Sequence, residues 1–141
     1  MTQQYKHAVF DSLIWIGAKW EEDQYKKHAM KIIESFLQED IKKIFITDYI
    51  LVETINFLLR KAGFRFAHDV SNSIINSARI EIVYVDELML DDIKKLFVKY
   101  KDLSITDCSI IALMLEKGIQ YLFSFDAGFD KVKEIIRLEY I

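Results

Sequence analysis

The 141 residues are 52% hydrophobic and 29% charged, a balance that is typical of a globular chain with a buried core and untypical of a disordered one. The 19 Lys and Arg residues against 22 Asp and Glu residues give a net charge of −3, which argues against a protein that coats nucleic acid. The N-terminal segment has no apolar signal core, no stretch has the length of a membrane span, and a single cysteine excludes an internal disulfide. We therefore expect a soluble cytoplasmic protein.

Strand-like and helical segments alternate along the chain. The first half predicts, in order, a strand at Ala8–Phe10, an apolar segment at Ser12–Trp20 with a break near Gly17, a helix at Glu21–Gln38, a strand at Lys43–Thr47, and a helix from Asp48 to about Ala62 that Gly63 ends. The second half predicts a helix across Phe66–Ala78, a strand at Glu81–Val85, a helix capped by Asp86, an apolar helix after Leu103, a strand at Tyr121–Phe125, a turn at Asp126–Asp130 and a short strand within Ile135–Ile141.

This alternation predicts the fold class. Strands that take turns with helices indicate an α/β protein in which helices cover both faces of a mostly parallel sheet, a three-layer α/β/α sandwich. The sequence has no internal repeat, no low-complexity tract and no proline, and no segment resembles a linker. We expect residues 1–141 to form a single domain.

Four acidic residues are predicted to meet at one edge of this sheet. Ligands of open parallel sheets bind beyond the carboxyl ends of the strands, near the point where the strand order reverses. Asp11 ends the first strand, Asp126 follows the strand near the C-terminus, and Asp107 lies in the first turn of the apolar helix. Glu53 lies about 7–8 Å along the helix that follows the second strand. All four carboxyl groups can therefore reach the same edge.

Each acid also has a purely structural interpretation. Asp11 could cap the helix after it, Asp107 could complete a capping box with Ser104, and Glu53 and Asp126 could be a surface acid and a turn residue. Their joint placement favours a site, because four neighbouring carboxylates stay ionised only when a cation neutralises them. Oxygen ligands suit Mg²⁺ or Mn²⁺ rather than zinc. The other metal-binding residue types are scattered, and we interpret them as surface histidines and a core thiol: His7, His28, His68 and Cys108.

Four short motifs carry a resemblance to a known family. They are V-F-Asp11-Ser12, L-V-Glu53-T, Leu103-Ser104-I-T-Asp107 and Phe123-Ser124-F-Asp126. In order and spacing this set resembles the PIN-domain ribonucleases, and the match spans nearly the whole chain. The size of the chain is most similar to that of the VapC-type toxins of prokaryotic toxin–antitoxin pairs.

The resemblance implies a function and a set of site residues. It implies a Mg²⁺-dependent endoribonuclease that attacks RNA with a metal-activated water and leaves a 5′-phosphate and a 3′-hydroxyl. The acidic quartet would be Asp11, Glu53, Asp107 and Asp126, binding one or two metal ions, with Asp11 and Asp107 as the first choices for direct ligands. Supporting residues would be Ser12, Ser104 and Ser124, and Asp130 would be a fifth acid. A homodimer and a cognate antitoxin are implied in the same way.

Contacts with RNA require basic or aromatic side chains near the acids. The candidates for phosphate contacts are Arg60, Lys61 and Arg65 at the end of the Glu53 helix and Lys94, Lys95, Lys99 and Lys101 before Asp107. Ordinary surface positions are the alternative for every one of them. The aromatic candidates for stacking on unpaired bases are Trp15, Trp20 and Phe129, for which core packing is the alternative.

Three other functions stay open at this point. The first is a PIN-type nuclease of RNA processing that has no antitoxin. The second is a Mg²⁺-dependent phosphatase with Asp11 as the nucleophile, although Leu13 stands where such enzymes have a second acid. The third is a binding module that keeps the fold without any catalysis.

Overall fold

The computed structural model describes residues 4–20 and 24–141, and a five-stranded parallel sheet lies at its centre. The strands are β1 (Tyr5–Phe10), β2 (Ile41–Thr47), β3 (Ile80–Val83), β4 (Tyr121–Phe123) and β5 (Ile136–Leu138). Their spatial order is β3-β2-β1-β4-β5, and each neighbouring pair is parallel. The predicted central sheet and the predicted C-terminal strand are therefore confirmed. The order reverses between β1 and β4, which makes their carboxyl ends the expected place for a ligand site.

Helices cover both faces of the sheet. They are α1 (Ser12–Lys19), α2 (Lys26–Leu37), α3 (Asp48–Lys61), α4 (Phe64–Ile75), α5 (Glu87–Lys99) and α6 (Ile105–Lys117), with a short 3-10 helix at Ala127–Lys131. Helix α1 contacts α2 and α3, α3 contacts α4, and α5 contacts α6. Because crossovers between parallel strands are almost always right-handed, this strand order and these contacts indicate α1 to α4 on one face and α5 and α6 on the other. The three-layer α/β/α sandwich is thus confirmed.

The boundaries of several elements differ from the prediction. Helix α1 has no break at Gly17, because buried apolar neighbours in the same helix outweigh the roughly 1 kcal/mol that a helical glycine costs. Helix α4 starts two residues before the predicted Phe66–Ala78 and ends three residues before its end, and the strand predicted at Glu81–Val85 is Ile80–Val83. Residues 21–23, where the helix at Glu21–Gln38 was predicted to start, lie outside the described residues.

The helix ends that capping residues and glycines determine agree with the sequence prediction. The Asp86 carboxylate accepts a hydrogen bond from the Met89 backbone N–H, at 2.9 Å, and so caps α5 as predicted. Gly63 follows the end of α3 with a φ of +93°, a left-handed conformation that glycine adopts without strain.

The core explains why α6 is so apolar. Seven consecutive residues of this helix, 108–114, are buried, and the central strand β1 buries Ala8, Val9 and Phe10 completely. Trp15 and Phe129 are also buried in the core, so packing rather than base stacking is their role in this structure. No helix in the described part of the chain has the length and apolar character needed to cross a bilayer.

Candidate active site

Asp11 lies at the centre of the sheet edge, directly after β1. Its backbone N–H donates to the carbonyl of Phe123 at 3.0 Å, which joins the end of β1 to the end of β4. Its carboxylate accepts hydrogen bonds from the Ser12 backbone N–H and from the Ser124 hydroxyl, both at 2.8 Å. Only 5% of the residue is exposed. Asp11 therefore caps α1 and is also the deepest acid of the site.

Ser124 connects this deep acid to the turn that follows β4. Its buried hydroxyl donates to Asp11 and accepts from the backbone N–H of Asp126 at 3.1 Å. The exposed Asp126 carboxylate accepts from the Gly128 N–H at 2.8 Å. A Cβ on Gly128 would lie 3.0 Å from this carboxylate and 3.1 Å from the Leu103 side chain. A larger residue would therefore fit only if the Asp126 carboxylate and the Leu103 side chain shifted by a few tenths of an ångström.

Glu53 reaches the same edge from α3. The Ser12 hydroxyl donates to Oε2 of Glu53 at 2.7 Å, which fixes α3 against the start of α1. Helix α3 is capped by the fully buried Thr47, whose hydroxyl accepts from the Ile50 N–H at 3.2 Å. The same hydroxyl is hydrogen-bonded to that of Ser109 in α6, at 2.9 Å. A buried pair of hydroxyls thus holds the helices that carry Glu53 and Asp107.

The sequence interpretation missed this pair. Thr47 ends a strand immediately before a helix, which is a recognisable N-cap signal. Ser109 lies inside an apolar helix and gives no signal of its own, because only the packing of α6 against the end of β2 brings it to Thr47.

Asp107 forms a capping box at the start of α6, as its spacing from Ser104 predicts, and it also lines the pocket. The Ser104 hydroxyl accepts from the Asp107 N–H at 3.0 Å, and Oδ2 of Asp107 accepts from the Ser104 N–H at 3.1 Å, so the capping box is complete. The side chain is half-buried at the start of α6. The two interpretations of this residue are therefore compatible, because the cap uses one carboxylate oxygen.

The four acids line one pocket of about 360 Å³. Its other lining residues are Ser12, Leu13, Ile16, Phe57, Arg60 and Ser104. Of the three basic candidates at the end of α3, only Arg60 lines this pocket; Lys61 and Arg65 are exposed outside it. Lys94 and Lys95 line other surface depressions.

Asp130 is placed differently from the four acids. Its exposed carboxylate forms a two-pronged ion pair with Arg137, at 2.8 and 3.1 Å, and Arg137 lowers its pKa. The same guanidinium donates to the carbonyl of Ser124 at 3.1 Å. The structure thus places Asp130 outside the pocket lining, in a contact that ties β5 to the turn after β4.

The acids repel one another across the pocket. Burial raises the pKa of Asp11 to about 7; the hydrogen bonds from Ser124 and Ser12 lower it, and the charges of Asp107 and Glu53 raise it further. Burial also raises the pKa of Asp107, against the hydrogen bonds from Ser104 and together with the charge of Asp126. Burial is thus the largest cause of both raised pKa values and the neighbouring carboxylates add to it, so a bound cation would favour the ionised forms.

The donor set suits a hard divalent cation. The pocket offers carboxylate and hydroxyl oxygens, whereas His7, His28 and His68 are exposed elsewhere, and burial raises the pKa of Cys108 to about 11, which keeps the thiol protonated. Within residues 4–20 and 24–141, no three His, Cys, Asp or Glu side chains are already arranged as metal ligands. Each of the four carboxylates already accepts a hydrogen bond from a neighbouring N–H or hydroxyl.

The fold and this pocket define a class of α/β proteins, those with an acidic site beyond the carboxyl ends of two adjacent parallel strands at the reversal of strand order. The family model described as "PIN domain" matches residues 8–135. The chain therefore belongs to the PIN domain family, as the motif resemblance indicated. No curated protein matches the sequence at a significant level.

Solved structures share the fold at low sequence identity. VapC20 of Mycobacterium tuberculosis, described as a sarcin–ricin loop cleaving toxin, is 20% identical with a TM-score of 0.78, covering 89% of this chain and 95% of that chain. A toxin–antitoxin complex from Klebsiella pneumoniae is 15% identical with a TM-score of 0.68, covering 95% and 99%. VapBC2 from Rickettsia felis, bound to a promoter DNA fragment, is 11% identical with a TM-score of 0.67, covering 94% and 97%. These similarities show a common fold.

Proposed function

We propose that this chain is an endoribonuclease that depends on Mg²⁺ or Mn²⁺. The observation that carries the proposal is that four acids from four separate segments line one pocket at the reversal of strand order. Membership of the PIN domain family supports the same conclusion. Burial raises the pKa values of Asp11 and Asp107, and placing such acids together is costly for folding, a cost that is typical of a functional site.

The four acids would have different roles in metal binding and catalysis, according to their positions. Asp11 and Asp107 are the proposed direct ligands, Asp126 would hold the ion through water or at a second position, and Glu53 would orient the attacking water. A bound divalent ion supplies an acidified water and stabilises charge on the cleaved phosphate. Ser12 and Ser124 would keep the acids in place through the hydrogen bonds that they already donate. Ser104 would do the same for Asp107 through the capping box.

Arg60 is the preferred contact for the RNA backbone. It lines the acidic pocket, whereas Lys61 and Arg65 of the same predicted cluster do not. A guanidinium offers paired donors that match phosphate oxygens, and its charge would offset the repulsion between the acids and the RNA. We therefore propose Arg60 as the phosphate contact nearest to the cleaved bond.

The proposed biological role is that of the toxin in a toxin–antitoxin pair, acting in the cytoplasm as a homodimer with a cognate antitoxin as partner. One structural neighbour is described as a toxin–antitoxin complex and two others as VapBC bound to DNA, and all three match nearly the full length of both chains. Induced expression should arrest growth, and co-expression of a small adjacent reading frame should relieve the arrest. Arrest that no adjacent gene relieves would favour the RNA-processing nuclease.

Cleavage of RNA by the purified protein tests the catalytic proposal. Wild-type protein should cut single-stranded or structured RNA with Mg²⁺ or Mn²⁺ and not with EDTA, and Asp107→Asn should lose this activity. Asp102→Asn is the matched control, since Asp102 lies five residues earlier, has an 84% exposed side chain and does not line the pocket. Cleavage by Asp107→Asn at the wild-type rate would show that the site is wrong.

A non-catalytic binding module is the second candidate. It is favoured by one observation, that the described acids are not yet arranged as metal ligands. Calorimetry distinguishes the two functions. Titration with Mn²⁺ that gives no heat, together with no cleavage of RNA, would support the binding module.

A further inference from the structure

The lining of the pocket combines two kinds of side chain. The acids lie after β1, on α3, at the start of α6 and in the turn after β4. Leu13 and Ile16 of α1 and Phe57 of α3 form an apolar lining of the same pocket, together with the cation Arg60. An ion and a phosphate need only the acids and the cation, so the apolar lining has no task in the chemistry proposed above.

One face of α3 presents three different chemical groups in succession. Glu53, Phe57 and Arg60 are spaced i, i+4 and i+7, which places them on the same side of a helix. At 1.5 Å per residue, the aromatic ring follows the acid by about 6 Å along the axis and the guanidinium follows it by about 10 Å. An acid, an aromatic ring and a cation thus follow one another along the pocket.

The ring of Phe57 is held by its surroundings. Trp20 contacts it edge to face, with ring centres 5.3 Å apart and an angle of 69° between the planes. Phe57 stays half-buried and lines the pocket. A half-buried ring that already packs against another ring loses little conformational freedom when a flat group packs against it.

We propose that Phe57, with Leu13 beside it, forms the subsite for one unpaired nucleobase of the RNA. The proposal rests on the nuclease function above. The base is the only part of a nucleotide with an apolar face, whereas sugar and phosphate would lose hydration against this lining without gaining a partner. The pocket, at about 360 Å³, has room for one small flat group, and a base that is paired and stacked in a helix has no free face to place against Phe57. Arg60, further along α3, contacts an adjacent phosphate.

The subsite therefore determines which kind of RNA the protein selects. A base has to leave its stack before it can enter the pocket, so the enzyme selects loops and single strands. Phe57 is a binding residue in this scheme and not a catalytic one. Its removal affects the Kd and KM for RNA more strongly than kcat measured at saturation.

The test is equilibrium binding of fluorescein-labelled RNA, measured by anisotropy in Mn²⁺ with the cleavage-deficient Asp107→Asn protein as the parent. The probes are a short random-sequence single-stranded RNA and the same pool with abasic riboses in its centre. Phe57→Ala should raise the Kd for the normal RNA about tenfold, the typical effect of losing one stacked base. Phe57→Trp should keep tight binding, because it retains an aromatic face.

The abasic probe distinguishes stacking from a general loss of structure. Phe57→Ala should not change the Kd for abasic RNA, since the contact is already absent. Phe66→Ala is the matched control, because Phe66 is an exposed aromatic on α4 outside the pocket, and it should leave both Kd values unchanged. Thermal unfolding of each variant confirms that it is folded.

Two results would overturn the subsite. The first is an unchanged Kd in Phe57→Ala while wild-type protein cleaves RNA, which leaves the nuclease function standing. The second is an equal loss on normal and abasic RNA, which shows a structural role for the ring. Failure of the nuclease function itself is distinguishable, because wild-type protein would then show no metal-dependent cleavage of either probe.

Discussion

Asp11→Asn should stabilise the metal-free protein at neutral and alkaline pH. Burial raises the pKa of Asp11 from 3.8 to about 7, so between these values the folded protein holds a proton that the unfolded chain has lost. The contribution of the Asp11 carboxyl group to the free energy of unfolding is therefore fully present at low pH, and it falls as the pH rises towards 7. At 1.36 kcal/mol per pKa unit, the wild-type protein loses roughly 4 kcal/mol by pH 8.

Asparagine avoids this loss because it does not ionise. Its oxygen can still accept from the Ser12 N–H, but its amide group cannot accept from the Ser124 hydroxyl, at a cost of about 1 kcal/mol. The variant should therefore be more stable than wild type by roughly 3 kcal/mol at pH 8, and this advantage should shrink by about 2–3 kcal/mol at pH 5.

Urea unfolding in EDTA at pH 5 and at pH 8 measures both differences. Asp102→Asn, at a side chain that is 84% exposed, is the control and should change stability little at either pH. A variant less stable than wild type at pH 8, or a difference that does not vary with pH, would refute the view that Asp11 is a desolvated and repelled carboxylate.

Two further substitutions test the residues that hold the acidic side chains in position. Ser124→Ala leaves the buried Asp11 carboxylate without its hydroxyl donor, so it should lower stability by about 1–3 kcal/mol in urea unfolding and shift the carboxyl titration of Asp11, followed by NMR, to higher pH. Gly128→Ala introduces a Cβ 3.0 Å from the Asp126 carboxylate and should weaken Mn²⁺ binding in calorimetry. Gly118→Ala should cost about 1–2 kcal/mol of stability, because that residue has a φ of +67° with open space around it, and should leave Mn²⁺ binding unchanged.

The sequence predicted well those features that depend on local patterns. Alternating strands and helices gave the layers of the sandwich, and Asp86 and the Ser104–Asp107 box marked helix starts that the structure contains. The general rule for parallel sheets was enough to expect Asp11 and Asp126 at one edge, where the structure places them in one pocket. These features rest on periodicity and topology, which a single sequence carries.

Other features could not be predicted because they arise from contacts between distant segments. The bond from Ser12 to Glu53 joins residues 41 apart, and that from Thr47 to Ser109 joins residues 62 apart. The ion pair of Asp130 with Arg137, seven positions on, depends on how the turn after β4 packs beside β5, and Asp130 lies outside the pocket lining. The unbroken course of α1 through Gly17 likewise depends on neighbours that bury this helix.

The hydrogen bond between Ser124 and Asp11 also affects how the site forms during synthesis of the protein. The two residues are 113 positions apart, and β1 lies between β2 and β4 in the sheet. A ribosome makes Asp11 more than a hundred residues before Ser124, so the nascent chain cannot complete the acidic cluster until β4 and the turn after it have been translated. Truncated or stalled products that end before β4 would therefore lack the intact cleavage site, and the proposed toxic activity would require synthesis through that turn.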